Sequence, residues 1–257
     1  MTDLADAYLA WCAHHDTPSN TIASRRRTLR SLQGAGTATR EDVEAWWDAR
    51  AHLSTGTRSN DIANLRSFYK WCRRWEHRDD DPTLRVDAPK VPKGMPRALG
   101  RADLRKLLDA LPDDLGRAVA LGAYAGLRVS EAAALRWDDV DVEARMMLIR
   151  DSKGGKSRRV PIGPVLLDRL LPDTGGPVIP GATPASLQRR VNRAMRAAGV
   201  AATFHQLRHR YGTLAYQESR DLLAVGRLMG HSSPVTTAIY AAPDDAVSLQ
   251  IVAAVER

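Results

Sequence analysis

Four prolines fall within a short stretch about one third of the way along the chain, and they limit what the whole sequence can fold into. The stretch spans residues 79–100 and reads DDDPTLRVDAPKVPKGMPRALG. Proline lacks the N–H that a helix interior needs, and it also restricts the residue before it. The stretch therefore predicts an extended, semi-rigid linker between two domains. We expect residues 1–82 to form the first domain, 83–98 the linker and 99–257 the second domain.

Four amphipathic segments precede the linker and predict a helical module. Helices are expected at residues 2–14, 20–33, 39–50 and 57–77, separated by breaks that contain Gly, Ser, Thr or Pro. The last helix has one apolar face, which is expected to form core: Ile62, Leu65, Phe68, Tyr69 and Cys72. The opposite face is polar and consists of Asn60, Ser67, Lys70 and Arg74.

The second domain is predicted to be mostly helical, with one β-hairpin. Strands are expected at residues 146–150 and 158–162, on either side of a Gly-rich turn. Gly126 is a natural helix stop, and Ser130 is expected to cap the helix that follows it. Further helices are expected at 101–111, 114–125, 164–171, 185–198, 205–217, 220–229, 233–240 and 244–255. The predicted fold class is mainly α with a small β-hairpin or sheet, an α+β arrangement.

The turn of this hairpin contains the sequence GGKS, which resembles part of a phosphate-binding P-loop. A P-loop would need glycine at position 150, where this chain has Arg150. We therefore do not expect nucleotide binding there.

Charge narrows the choice of partner. The chain has 38 Lys and Arg against 30 Asp and Glu, for a net charge of +8. The excess is concentrated after residue 90, and a basic surface suits an anionic partner such as DNA. The two cysteines, Cys12 and Cys72, match neither a disulfide framework nor a metal-ligand spacing. With no export signal or membrane-spanning segment visible either, we expect a cytoplasmic protein.

The segment HQLRH, at residues 205–209, concentrates polar chemistry on one predicted helix. His205, Arg208 and His209 fall within one narrow arc at about 100° per residue. The other side of this helix is expected to be core, and it carries Leu207, Tyr211 and Leu214.

Two ligands could bind to this arc, a zinc ion or a phosphate. Histidines four residues apart can hold zinc, but Gln206 stands where a metalloprotease has its glutamate, and Arg208 would repel a dication. No metal is therefore expected. Arg208 is better suited to phosphate, because its planar fork donates two parallel hydrogen bonds. A packed structural role is the alternative for both histidines, and it suits His209 better than His205.

Two further positions fit phosphate chemistry. Arg128 lies where one helix ends and another begins, and Glu131, three residues on, can hold its guanidinium. Tyr240 ends the segment TTAIY, and its phenol becomes a nucleophile at neutral pH only beside a base and cations. His205 and the two arginines would supply those conditions.

These motifs, taken in order, resemble the tyrosine recombinase (phage integrase) family. They are AGLRVSE, KGGK in a hairpin, HQLRH, LMGHSS and the tyrosine that follows. The resemblance covers residues 97–243, and the helical front module is similar to the core-binding domain of that family. No arm-binding domain precedes this module in the sequence, which favours a compact recombinase acting on a short core site.

The resemblance implies a set of roles. Tyr240 would attack the scissile phosphate, with Arg128 and Arg208 on its non-bridging oxygens. His205 would be the general base, and His231 a hydrogen-bond donor to the phosphate. Lys153 would be the general acid, with Lys156 as its rival, and Glu131 would orient Arg128. Neither metal nor cofactor is implied.

The implied partner is double-stranded DNA, bound by four protomers acting in pairs, with the last helix as a candidate contact between neighbours. Side chains that could contact DNA are Arg25, Arg26, Asn60, Lys70, Arg74, Lys90 and Lys93. The implied function is site-specific recombination of the phage integration type, with an Xer-like chromosome-dimer or mobile-element recombinase as the alternative. A type IB topoisomerase and a non-catalytic DNA-binding module are weaker alternatives.

Overall fold

The computed structural model describes residues 3–91, 98–150, 157–170, 175–231 and 234–240. The chain divides into two compact units, residues 1–93 and 94–257. No helix in the described ranges is long and apolar enough to cross a membrane. The predicted fold class, mainly α with a small β part, is confirmed.

Residues 3–91 of the first unit form four helices: α1 (Leu4–His14), α2 (Ser19–Ser31), α3 (Arg40–Ala49) and α4 (Thr55–Arg74). Three of these helices have an N-cap residue whose side chain accepts a hydrogen bond from a backbone N–H of the first turn. Asp3 caps α1, Thr39 forms a capping box with Asp42 at α3, and Ser54 caps α4.

The apolar face of α4 forms core as predicted, since Ile62, Leu65, Phe68, Tyr69 and Cys72 are fully buried. The core continues past residue 82. Thr83 is fully buried, Val86 belongs to the same apolar cluster, and Arg66 donates a hydrogen bond to the Val86 carbonyl. The packed part of this unit therefore extends beyond the predicted start of the linker.

The polar face of α4 is only partly exposed. The Ser67 hydroxyl lies 2.8 Å from that of Tyr8 on α1, so it faces a neighbouring helix. Asn60 is exposed but donates a hydrogen bond to Ser24 on α2. Lys70 and Arg74 are exposed, as the pattern indicates.

The second unit begins with α5 (Arg101–Ala110), α6 (Asp113–Tyr124) and α7 (Val129–Ala134). After the sheet come α8 (Pro164–Leu170), α9 (Pro184–Ala197), α10 (Phe204–Ser219), α11 (Leu222–Met229) and α12 (Pro234–Thr237). A 3₁₀ turn, Ala238–Tyr240, follows α12 directly. The predicted helix at 244–255 lies outside the described residues.

A three-stranded antiparallel sheet stands between α7 and α8. It is ordered β1 (Val140–Asp141), β2 (Met146–Ile149) and β3 (Arg158–Pro161). The pairing of Met147 with Val160 sets the register of β2 and β3. The predicted hairpin is present, and the short β1 is an addition to it.

Helix α6 lies at the centre of this unit. It packs on α10 and α8, and it is rich in glycine and alanine, which permit close approach. A β-carbon at Gly122 would lie 3.1 Å from Leu207 and 3.2 Å from Phe204. Gly126 follows α6 with a φ of +66°, which confirms it as the helix stop. This turn leads directly into α7, where the candidate site begins.

Candidate active site

The start of α7 is organised by Glu131. Its carboxylate accepts a hydrogen bond from the backbone N–H of Arg128 at 2.7 Å and another from the Arg128 guanidinium at 2.8 Å. Arg128, and not the predicted Ser130, therefore precedes the helix as its N-cap residue. The glutamate replaces the usual capping side chain by reaching back to the free N–H.

A third residue, Arg158 on β3, binds the same carboxylate. Its two terminal nitrogens each donate to one oxygen of Glu131, both at 2.9 Å. Arg208 on α10 lies 3.7 Å from the same carboxylate. One negative charge is thus shared by three guanidiniums, which leaves a surplus of positive charge in the site.

The pKa of Glu131 reflects this environment. Burial alone raises the pKa of the carboxyl, but the hydrogen bonds from Arg158 and the Arg128 backbone, with the charges of both arginines, lower it to about 2. The carboxylate is therefore ionised at neutral pH.

The same arginines also contact the end of α11. Arg158 donates to the Leu228 carbonyl at 2.8 Å, Arg208 to that of Met229 at 2.6 Å, and Arg128 to that of Gly230 at 2.9 Å. The last carbonyls of a helix lack partners within it and carry partial negative charge. Three consecutive acceptors are satisfied here by three guanidiniums.

Arg208 is the most enclosed of the three arginines. Its side chain is 2% exposed, and it also donates to the Gly126 carbonyl at the end of α6. Burial and the neighbouring Arg128 charge lower its pKa to about 10. The predicted division of α10 into a polar face and a core face is wrong here, since Arg208 is buried while Leu214 is 44% exposed. Arg208 enters the interior because backbone carbonyls meet it there.

Tyr240, in the 3₁₀ turn after α12, lies against α10. Its side chain is buried, and its hydroxyl lies 3.2 Å from Nδ1 of His209. A β-carbon at Gly212 would lie 2.5 Å from the Tyr240 ring, so this glycine makes room for it. Burial raises the pKa of Tyr240, although the charges of Arg208 and Arg128 act in the opposite direction. The tyrosine is therefore a neutral phenol at pH 7 and needs a base to become a nucleophile.

Two imidazoles, those of His209 and His231, lie beside this phenol, and a third, that of His205, packs against His209. His205 and His209 lie edge to face with centroids 4.3 Å apart, and the His231 ring lies parallel to that of Tyr240 at 6.3 Å. Nδ1 of His231 is 2.8 Å from the Thr237 hydroxyl. Burial and the nearby cationic side chains lower the pKa of His205, and they lower those of His209 and His231 to about 4. All three rings are neutral at pH 7 and can accept a proton. The described parts of the chain contain no group of three or more His, Cys, Asp or Glu side chains that could hold a metal ion.

The structure thus brings together six of the residues singled out from sequence: Arg128, Glu131, His205, Arg208, His231 and Tyr240. Lys153 and Lys156 lie outside the described residues. Sequence reasoning missed Arg158 and the contact of His209 with the tyrosine. One signal for Arg158 was available: it alternates with Val160 and Ile162 on the inward face of a strand, where a charged residue requires a partner.

In the first unit, the residues predicted to contact DNA differ in their surroundings. Arg25 points inward, with a terminal nitrogen 3.0 Å from the Cys12 sulfur and its guanidinium over the Tyr8 ring. This contact does not favour Arg25 as a phosphate ligand. The exposed candidates are Arg26, Asn60, Lys70, Arg74 and Lys90, whereas Lys93 lies outside the described residues.

A buried tyrosine beside neutral imidazoles, with guanidiniums gathered around one carboxylate on a mainly helical unit, is the arrangement expected of enzymes that cleave and rejoin DNA through a tyrosine. The profile of the phage integrase family matches residues 99–173 and 182–246. The chain belongs to this family.

Curated relatives and solved structures agree with this assignment. The chain is 34% identical to the tyrosine recombinase XerA of Thermococcus kodakarensis, over 74% of this chain and 73% of that protein. It is 35% identical to XerC of Chromobacterium violaceum, over 75% and 71%. A lambda integrase dimer bound to a core site shares the fold, with a TM-score of 0.76 and 18% identity over 92% of this chain and 75% of that one. The lambda integrase tetramer bound to a Holliday junction aligns with a TM-score of 0.74 and 18% identity over 90% and 77%.

Proposed function

We propose that the chain is a site-specific DNA recombinase in which Tyr240 is the nucleophile. The phenol oxygen attacks the scissile phosphorus of one strand, a 3′-phosphotyrosyl bond forms, and the bond to the 5′ oxygen breaks. The 5′-hydroxyl of the partner duplex then attacks the phosphorus of this bond, which forms a new phosphodiester between the two duplexes and releases the Tyr240 phenol. Because one phosphodiester is traded for another, the reaction needs no energy input such as ATP, and no metal or other cofactor is proposed.

The observation that carries this proposal is the surroundings of the Tyr240 hydroxyl. It lies 3.2 Å from a neutral imidazole, within the electrostatic reach of Arg128 and Arg208. The imidazole can take the phenolic proton, and the cations favour the phenolate and the phosphate it attacks.

Arg128 and Arg208 are proposed to hold the non-bridging oxygens. Arg128 is the more accessible, with a side chain 42% exposed. Each terminal nitrogen of Arg208 donates one hydrogen bond to a carbonyl and carries a second N–H that can serve a phosphate. Removing one such contact from a phosphoryl-transfer site typically costs about 100-fold or more in rate.

The proton from Tyr240 is proposed to pass to the His205 and His209 pair. The resemblance assigns the general base to His205, whereas His209 is the ring that contacts the hydroxyl in this structure. His231 is proposed to donate a hydrogen bond to the phosphate, oriented by Thr237. Lys153 is proposed to protonate the leaving 5′ oxygen, with Lys156 as the alternative donor.

The proposed partner is a short double-stranded DNA site, bound by a tetramer of this chain in the cytoplasm. The support is the fold shared with DNA-bound lambda integrase, solved as a dimer and as a tetramer. Contact between protomers through the C-terminal helix is proposed from the sequence alone.

Two biological roles are proposed for this activity. Phage-type integration and excision fits the net positive charge of the chain, while an Xer-like role is favoured by the XerA and XerC relatives. The two roles differ in where the target site lies. Covalent capture from a random duplex library would give the site sequence, and copies flanking a prophage or a single chromosomal copy would then separate them.

The nucleophile is tested by Tyr240→Phe on nicked duplexes obtained from that capture. The native protein is expected to form a covalent adduct that resists denaturant, while Tyr240→Phe binds the duplex with similar affinity and forms none. Tyr216→Phe, on α10 and packed against the same apolar cluster, is the matched control and should retain the adduct. An adduct of normal yield with Tyr240→Phe would refute the assignment.

A further inference from the structure

Arg158 has no role in the function proposed above, yet it donates hydrogen bonds at the centre of the site. It begins β3, the second strand of the hairpin. It holds both oxygens of Glu131, at 2.9 Å each, and its Nε donates to the Leu228 carbonyl at 2.8 Å. One guanidinium therefore joins β3, α7 and α11.

We propose that Arg158 is a positioning residue for strand cleavage, acting through Glu131 and the end of α11. The inference rests on the proposed function and extends it to a residue that does not contact the phosphate. Arg158 fixes the carboxylate that orients Arg128, and it fixes the turn that presents His231.

The distribution of hydrogen bonds separates the roles of the three arginines. All three donor nitrogens of Arg158 are engaged within the protein, and its side chain is 13% exposed. Arg128, by contrast, is 42% exposed at the same carboxylate. The two terminal nitrogens of Arg158 form a bidentate pair with Glu131, whereas those of Arg208 donate to backbone carbonyls and the nearer one lies 3.7 Å from the same carboxylate, so Arg158 is the better placed of the two to act through Glu131.

The backbone around Arg158 is shaped for this contact. Gly230 has a φ of +65°, and a β-carbon there would lie 2.6 Å from a terminal nitrogen of Arg158. The glycine lets the guanidinium cross the turn that leads from α11 to His231. The nitrogen of His231 itself is held by a backbone hydrogen bond to Gly226, at 2.9 Å. Displacing Arg158 would therefore disturb the residue next to His231.

The geometry of the hydrogen bonds explains why it is useful for two arginines to bind one carboxylate. Without Arg158, Glu131 would keep only the hydrogen bonds from the backbone N–H and the guanidinium of Arg128, the residue that it has to orient. The bidentate pair with Arg158 defines the plane of the carboxylate and so defines the direction in which Arg128 is held. Lysine cannot reproduce the pair, because it presents a point charge instead of a planar fork.

The experiment compares Arg158→Lys and Arg158→Ala with Arg159→Ala. Arg159 is the next residue of the same strand and is exposed, and its replacement by alanine removes the same charge as Arg158→Ala. Adduct formation is measured in single turnover at saturating protein, and duplex affinity is measured separately. Both Arg158 variants are expected to cleave at least about 10-fold more slowly with affinity within about threefold of native, while Arg159→Ala stays near the native rate.

A double-mutant cycle with Glu131→Gln tests the route of action. If Arg158 acts through Glu131, the defects of Arg158→Lys and Glu131→Gln should not multiply in the double variant. Independent, multiplying defects would overturn the proposal, as would native cleavage by Arg158→Lys or a defect confined to DNA affinity.

A further variant tests the position of the Arg158 guanidinium without replacing the arginine. Gly230→Ala should displace the guanidinium and reduce cleavage as Arg158→Lys does, and normal cleavage by a folded Gly230→Ala protein would also contradict the proposal. The native protein is assayed in parallel. If it forms no adduct, the proposed function fails; if it does and the Arg158 variants match it, only this inference fails.

Discussion

At the scale of single residues, the Glu131 carboxylate balances the charges of the site. Its pKa is raised by burial but lowered to about 2 overall by the hydrogen bonds and charges of Arg158 and Arg128. A carboxyl with a lower pKa in the folded state contributes stability above its unfolded pKa, near 4.5, and loses that contribution as pH falls toward 2. At about 1.4 kcal/mol per factor of ten in proton affinity, the contribution is about 3 kcal/mol.

Glu131→Gln should therefore destabilise the protein by about 3 kcal/mol at neutral pH, and the difference from native should shrink toward zero near pH 2. The measurement is urea unfolding of both proteins across this pH range. Glu143→Gln, at an exposed position of the same unit, should show little difference at any pH. A Glu131→Gln difference that stayed constant with pH would contradict the linkage.

From the sequence, we could identify those residues whose chemistry is indicated by their immediate neighbours in the chain. Arg128 and Glu131 are three residues apart, and Arg208 lies in a helical motif with His205. Arg158 lies 27 positions from the glutamate it binds, and no local pattern records that contact. The inward turn of Arg208 was equally hidden, because it depends on carbonyls of Gly126 and Met229 that only the tertiary fold brings near.

At the scale of elements, α10 and the turn ending in Tyr240 meet at a glycine. A β-carbon at Gly212 would lie 2.5 Å from the Tyr240 ring and 2.9 Å from the Met229 sulfur. Alanine at a helical glycine gains up to about 1 kcal/mol in intrinsic propensity, whereas overpacking of this kind costs about 1–3 kcal/mol. The clash is the larger effect, and it falls on the proposed nucleophile.

Gly212→Ala is therefore expected to reduce covalent adduct formation at least about 10-fold, because Tyr240 is pushed from His209. Its melting temperature should change little or fall. Gly56→Ala in α4 is the control, since nothing lies within 4 Å of the added carbon. That variant should keep full activity and gain up to about 1 kcal/mol. Unimpaired cleavage by Gly212→Ala would show that the tyrosine does not act from this position.

Helix and strand positions were mostly predictable because apolar periodicity and breaking residues act locally. The hairpin, the stop at Gly126 and the core face of α4 follow from such signals. The start of α7 did not, because a glutamate inside the helix provides the cap and its partner is the backbone of Arg128. The short strand β1 was also missed, because two residues are too few to show a strand pattern in the sequence. It is a strand because it pairs with β2.

At the scale of the whole molecule, the proposed interaction with DNA depends on charges spread over both units. The exposed candidates all belong to the first unit, whose net charge from sequence is small, while the larger excess of basic residues lies in the second. On α4, Lys70 and Arg74 line a cleft together with Arg66 and Arg73. Such a cluster can bind a phosphate backbone without reading its sequence, since base edges carry the sequence information.

Replacing Lys70 and Arg74 together by alanine should weaken binding to all duplexes similarly. The slope of log affinity against log salt should become shallower by about 0.9 for each phosphate that the variant no longer neutralises. Affinity is measured by fluorescence anisotropy over a series of salt concentrations, on the captured site and on unrelated duplexes. Arg40→Ala combined with Arg145→Ala removes the same charge from other exposed positions and should leave the slope near native. A native slope in the Lys70 and Arg74 variant would remove this face of α4 from the interface, whereas weaker binding confined to the captured site would indicate base recognition by these side chains.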